Sequence, residues 1–136
     1  SAPSFIPHAY PRNCVAYTGT HDNDTTVGWF TEVAGGHSTR DPEQTERERR
    51  HAVTYLGSAG GGKEIHWDMI RAIFQSVANL AIAPAQDFLG LGSEARMNRP
   101  GLAAGNWEWR ARPGAFDETL ATRIRVMTDV YGRSGA

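Results

Sequence analysis

A histidine, two carboxylates and an amide stand together at His21-Asp22-Asn23-Asp24, after the apolar run Cys14-Val15-Ala16-Tyr17 and the link Thr18-Gly19-Thr20. An apolar β-type run that ends in ionisable residues is how a barrel strand delivers reactive groups to its C-terminal mouth. A carboxylate there can stabilise the positive charge that develops on a sugar ring during glycosyl transfer, whose transition state is oxocarbenium-like. A neighbouring imidazole can donate a hydrogen bond to a sugar hydroxyl. Asp and Asn between glycine and threonines also build ordinary Asx turns, so the residue types alone leave both readings open.

Two further stretches carry suitable groups. The first runs from Gln86-Asp87-Phe88-Leu89-Gly90-Leu91-Gly92 to Arg96-Met97-Asn98. It follows a second short apolar run, so its polar residues can converge on the same mouth. The Asn98 amide, with one acceptor and two donors, suits sugar hydroxyls. Asp87 and Arg96 are expected to tie down the loop through backbone hydrogen bonds and an ion pair. The second stretch is Gly105-Asn106-Trp107-Glu108-Trp109-Arg110. Alternating tryptophans can offer a stacking face, but two rings of that area more often anchor a loop on the core, which is the expectation here. The histidines fall in no His-x-x-x-His pair that would aim two ligands at one ion from a helix. No metal and no cofactor are expected.

The elements that must position these groups are legible in outline. Residues 1–13, with Pro3, Pro7 and Pro11, read as an extended lead-in to a strand over Cys14 to Tyr17. A short helix is expected from Thr25 to Val33, closed by Gly35-Gly36-His37-Ser38. Asp41 as N-cap, Pro42 at the first helical position and Gln44 at capping-box spacing predict a helix through Leu56, stopped by Gly57. Its apolar residues cluster at the C-terminal end, which marks the stretch as peripheral. Trp67, Ile70, Ile73, Phe74 and Val77 recur at helical spacing and predict a helix over Trp67 to Asn79. Leu80-Ala81-Ile82-Ala83 then reads as a buried strand ended by Pro84. Strand, helix and strand in that order predict a parallel βαβ unit. A final helix from Asp117 to Tyr131 turns Leu120, Ile124, Met127 and Tyr131 inward.

The chain has 136 residues, 40% of them apolar and 21% charged, with a formal net charge of -1. That suffices for one modest core but not for a complete (β/α)8 barrel, which takes about 250 residues. The charge balance argues against nucleic-acid and membrane-surface binding. No apolar run approaches the roughly 18 residues of a membrane span. The single cysteine, Cys14, excludes an intrachain disulfide and suits a reducing compartment. A cytoplasmic protein without a leader segment is expected.

Three blocks taken together are more specific than any one of them. Tyr17-Thr18-Gly19-Thr20-His21-Asp22-Asn23-Asp24-Thr25-Thr26 with Gly28-Trp29, then Pro84-Ala85-Gln86-Asp87 through Arg96-Met97-Asn98, then Gly105-Asn106-Trp107-Glu108-Trp109-Arg110, resemble the amylomaltases (4-α-glucanotransferases) in order and content. The resemblance implies α/β architecture, as part of a (β/α)8 barrel: its last two strands and the helices after them, helix-dominated in isolation. It implies a cytosolic enzyme that moves α-1,4-glucan segments between maltooligosaccharides by a retaining double displacement, with no cofactor. By resemblance Asp22 is the third active-site carboxylate, His21 its sugar-binding neighbour, and Asn98 a contact to the donor sugar. The nucleophile and acid/base segments of that family have no counterpart in these residues. Residues 1–136 are therefore expected to be a C-terminal fragment of the catalytic barrel, inactive alone and exposing apolar surface that favours self-association. A stand-alone carbohydrate-binding or interaction module is the alternative.

Overall fold

Val15-Ala16-Tyr17 and Leu80-Ala81-Ile82 form two short parallel strands, β1 (Val15–Tyr17) and β2 (Leu80–Ile82), in a computed structural model that describes residues 6–32 and 41–135. The register pairs Val15 with Leu80, Ala16 with Ala81 and Tyr17 with Ile82. Side chains alternate across a strand, so the two alanines share one face and the four larger residues the other. The alanine face meets the core: Ala16 clusters with Trp67, Ile70, Ile73, Phe74 and Ala78, and Ala81 packs against that cluster. Small residues there let a helix lie close on the ribbon. The opposite face is open, with Val15, Tyr17, Leu80 and Ile82 between 40% and 51% exposed. The expectation of a buried strand at Leu80–Ala83 is corrected on this point, because nothing among the described residues covers the second face.

Helix α1 (Thr26–Thr31) follows β1 and starts where the Thr25 hydroxyl accepts from the Gly28 amide at 3.0 Å. The glycines and His37 expected to close it lie outside the described residues. Helix α2 (Pro42–Leu56) is capped as its sequence predicts: the Asp41 carboxylate accepts from Gln44 N at 3.3 Å, and Gly57 takes the left-handed conformation at φ 59°. The Gln44 side-chain NH₂ donates to Glu48 Oε1 at 3.2 Å, one turn further along the helix. The lead-in differs from expectation too. Pro7–Ala9 forms a 3-10 turn, which the fixed φ of Pro7 suits, and His8 stacks on Tyr55 of α2.

Helix α3 (Ile65–Phe74) carries most of the core, with Ile70 fully buried. It ends earlier than its apolar spacing suggests, and Val77 is 57% exposed rather than part of the inward stripe. The reason is tertiary. Arg133 reaches back from the chain end and donates to the carbonyls of Phe74, Ser76 and Ala78 at 2.7–3.0 Å, satisfying groups that a continuing helix would have used. A short helix α4 (Ala85–Phe88) follows β2, and helix α5 (Glu118–Val130) closes the fold. Leu120, Ile124, Met127 and Tyr131 pack on the core as predicted. Arg123 of α5 bonds both oxygens of Glu64 at 3.1 and 2.9 Å and lies 4.1 Å over the Trp67 ring. That forked bond holds the Glu64 carboxyl below its ordinary pKa.

Candidate functional site

Both strands run the same way, so the segments that follow them emerge at the same end of the ribbon. Asp87, in α4, fastens them together. Its carboxylate is 2% exposed and accepts from the Thr26 amide (2.8 Å), the Thr26 hydroxyl (3.0 Å) and the Thr18 hydroxyl (2.7 Å). A buried carboxylate persists only when such donors replace water. Asp24 makes a second fastening: one oxygen accepts from the Thr25 amide and the other from the Ser93 hydroxyl, both at 2.7 Å. Gly28 lies against that pair, and a Cβ there would collide with Asp24 Oδ1 and Ser93 Oγ. The Gln86 amide, also buried, donates to the Ala95 carbonyl at 3.1 Å and folds the second loop back on itself.

These ties present Thr20-His21-Asp22-Asn23 at the mouth. Asn23 Oδ1 accepts from the amide (2.8 Å) and hydroxyl (3.0 Å) of Thr20, three residues earlier, and this closure gives the loop its shape; it is not the Asx turn expected from the residue types. Asp22 points outward: one oxygen accepts from the Asn98 side-chain amide at 2.7 Å, and the other lies 3.4 Å from His21 Nε2. The side chains of His21 and Asp22 are 55% and 52% exposed, which leaves both open to a ligand. Arg96 donates to the main-chain carbonyls of Asp22 (3.2 Å) and Asn98 (3.3 Å), locking the two loops in register.

His21, Asp22 and Asn98 are thus brought into direct contact, across 76 residues of sequence in the case of the Asn98–Asp22 bond. Asp87 and Arg96 do tie down loops, but no ion pair joins them; each bonds instead to the segment after β1. Trp107 departs from the expectation of a core anchor. It is 56% exposed, and its ring centroid lies 5.1 Å from that of His21. Trp109 is half-buried and lines a separate cleft with Leu89 and Leu91. His21, Trp107, Arg96, Met97, Pro84 and Asp87 line a cavity of about 210 Å³. Among the described residues no group of three or more His, Cys, Asp or Glu side chains is arranged to hold a metal.

Ser93, Thr18 and Thr26 are site residues that sequence reasoning passed over. Hydroxyls in loops are common, and no local spacing marks one that bonds a carboxylate 61 or 69 residues away. The cue that could have found them was topological: parallel neighbours place their following loops side by side.

Known proteins match this arrangement closely. Residues 1–116 match the family described as 4-alpha-glucanotransferase. A 4-alpha-glucanotransferase of Clostridium butyricum is 45% identical over 98% of this chain, and one of Synechocystis is 47% identical over 95%. A chloroplastic or amyloplastic 4-alpha-glucanotransferase of Arabidopsis thaliana is 45% identical over 94%. The structure superimposes on the amylomaltase of Streptococcus agalactiae in complex with acarbose with a TM-score of 0.80 at 29% identity, covering 96% of this chain and 24% of that one. The chain spans about a quarter of the length of the curated relatives it matches, 25% and 23% for the first two.

Proposed function

The chain belongs to the 4-alpha-glucanotransferase family, and from that premise we propose that it carries the sugar-holding carboxylate of a transglycosylase acting on α-1,4-glucans. The reaction is a retaining double displacement that moves glucan segments between maltooligosaccharides, in the cytosol. Asp22 is the carboxylate that meets the sugar at the reacting position. Its charge and hydrogen-bonding capacity stabilise the ring as it flattens and gains oxocarbenium character. His21 donates to a hydroxyl of the same sugar, and Asn98 contacts the donor sugar while orienting Asp22.

The observation that carries this reading is the 2.7 Å bond from Asn98 to Asp22. It fixes an exposed carboxylate by one oxygen, so the group is aimed without being buried or neutralised. The other two carboxylates near the mouth, Asp24 and Asp87, have both oxygens committed to hydroxyls and amides. Neither is free to serve as nucleophile or acid/base beside Asp22. Residues 1–136 thus form a piece of the catalytic barrel, and on their own they transfer nothing. The open face of Val15, Tyr17, Leu80 and Ile82 belongs against further barrel strands, and in the isolated piece it drives self-association.

Glucose release from maltotriose tests the assignment. The 136-residue chain is expected to release none. In a longer glucanotransferase containing this segment, Asp22→Asn should cost about 10²–10³ in kcat, the scale for losing one aimed group that stabilises the transition state. Release by the short chain that Asp22→Asn abolishes would show a complete active site here. An unimpaired Asp22→Asn longer enzyme would remove Asp22 from the chemistry. A carbohydrate-binding module is the second reading, favoured by the exposed Trp107 ring beside His21. Micromolar to low-millimolar affinity for maltooligosaccharides in the short chain, with no turnover, would support it.

A further inference from the structure

Trp107 is the one non-glycine residue with a left-handed backbone among the described residues, at φ 63°. A bulky side chain disfavours that conformation, because its Cβ crowds the backbone. Burial does not compensate for it here, since the residue is 56% exposed. The conformation is imposed from both sides. Asn106 accepts from the Arg99 amide at 2.8 Å and donates to the Leu102 carbonyl at 2.9 Å, closing the turn before it. The Trp107 amide donates to the Met97 carbonyl at 2.6 Å, next to Asn98. Arg110 donates to the carbonyls of Trp107 (3.3 Å) and Trp109 (2.8 Å) and fixes the exit. A disfavoured conformation held this firmly at an exposed position points to function.

The ring meets His21, at 5.1 Å between centroids and 40° between planes. His21 is itself 55% exposed by its side chain, and its contact with Asp22 Oδ2 is long, at 3.4 Å. An exposed imidazole with one long polar contact is free to leave its rotamer. We propose that Trp107 is a positioning residue for His21: its tilted ring packs against the imidazole and holds it beside Asp22, so that His21 meets the sugar hydroxyl already oriented. This rests on the glucanotransferase reading above. It assigns to Trp107 an effect exerted through His21, not a contact with the reacting atoms.

The test uses a full-length glucanotransferase carrying this segment, with Trp107→Gly, Trp107→Phe, His21→Ala and the double variant Trp107→Gly/His21→Ala. Glycine accepts positive φ freely, so Trp107→Gly should keep or raise the thermal midpoint. It should nonetheless lower kcat/KM for maltotriose about tenfold, while Trp107→Phe stays within about threefold of wild type, because a ring still covers His21. In the His21→Ala background the same Trp107→Gly change should cost less than about twofold, since coupled residues are not additive. An equal loss in both backgrounds would overturn the proposal and place the ring directly against substrate. A fall in thermal midpoint that tracks the fall in activity would overturn it in favour of a structural role, and an undiminished kcat/KM would overturn it outright. Asp22→Asn in the same enzyme separates the two layers. If that variant stays active, the functional reading fails; if it is inactive while Trp107 and His21 prove additive, this inference alone fails.

Discussion

Replacing Asp87 by alanine should loosen both loops of the site at once. The carboxylate is 2% exposed and takes three hydrogen bonds, at 2.7, 2.8 and 3.0 Å, from Thr18 and Thr26. A bond to a charged group contributes about 1.5 kcal/mol at the low end, so three amount to about 4.5 kcal/mol. Thr18 is half-exposed and regains water when its partner is lost, which returns about 1 kcal/mol. Thr26 is 4% exposed, and its amide and hydroxyl stay unsatisfied. The expected destabilisation is about 3–4 kcal/mol. Asp87→Asn should cost only about 1 kcal/mol, because its oxygen still accepts from the Thr26 amide while both hydroxyls rotate to accept from its NH₂. Urea unfolding followed by circular dichroism, with the slope checked for constancy, measures both. If Asp87→Ala falls within about 1 kcal/mol of wild type, or if Asn is as damaging as Ala, the fastening described here is wrong.

The Asp24–Ser93 contact makes a separate prediction. Gly28→Ala should push those side chains apart and cost about 2–3 kcal/mol, read by the same unfolding assay; a neutral or stabilising alanine would mean the contact is slack. Stability should also depend on pH through His66, whose pKa burial holds below the ordinary histidine value of 6.5. The unfolded chain then binds the proton first as pH falls through about 6.5, so stability drops from there down to the lower folded-state value. His66→Gln should flatten that part of the urea-midpoint profile below about pH 6.5, and an unchanged slope would exclude His66 as its source.

Local signals reached far into this structure. Asp41-Pro42 and Gly57 bounded α2 because capping is settled by the chain's own neighbours, within one turn. The inward stripe of α5 was legible for the same reason: Leu120, Ile124, Met127 and Tyr131 recur at helical spacing whatever they pack against. The parallel pairing of β1 and β2 followed from element order, since a strand, a helix and a strand close only in a few ways. His21, Asp22 and Asn98 were singled out by residue type and by motif resemblance.

What the sequence could not state was which groups answer one another across long separations. The end of α3 was misplaced because the donor to its last carbonyls is Arg133, 55–60 residues further on. Trp107 was expected in the core because aromatic residues gain most from burial, yet the turn closed by Asn106 and Met97 carries it out to His21. Leu80 and Ile82 read as buried because they are apolar, and their exposure depends on which neighbours a strand face has. Residue types and short spacings determine caps, periods and candidate chemistry. Only the tertiary fold decides that Asp87 holds two loops together while Asp22, of the same chemical type, is left half open to solvent: a carboxylate's role is set by the donors around it.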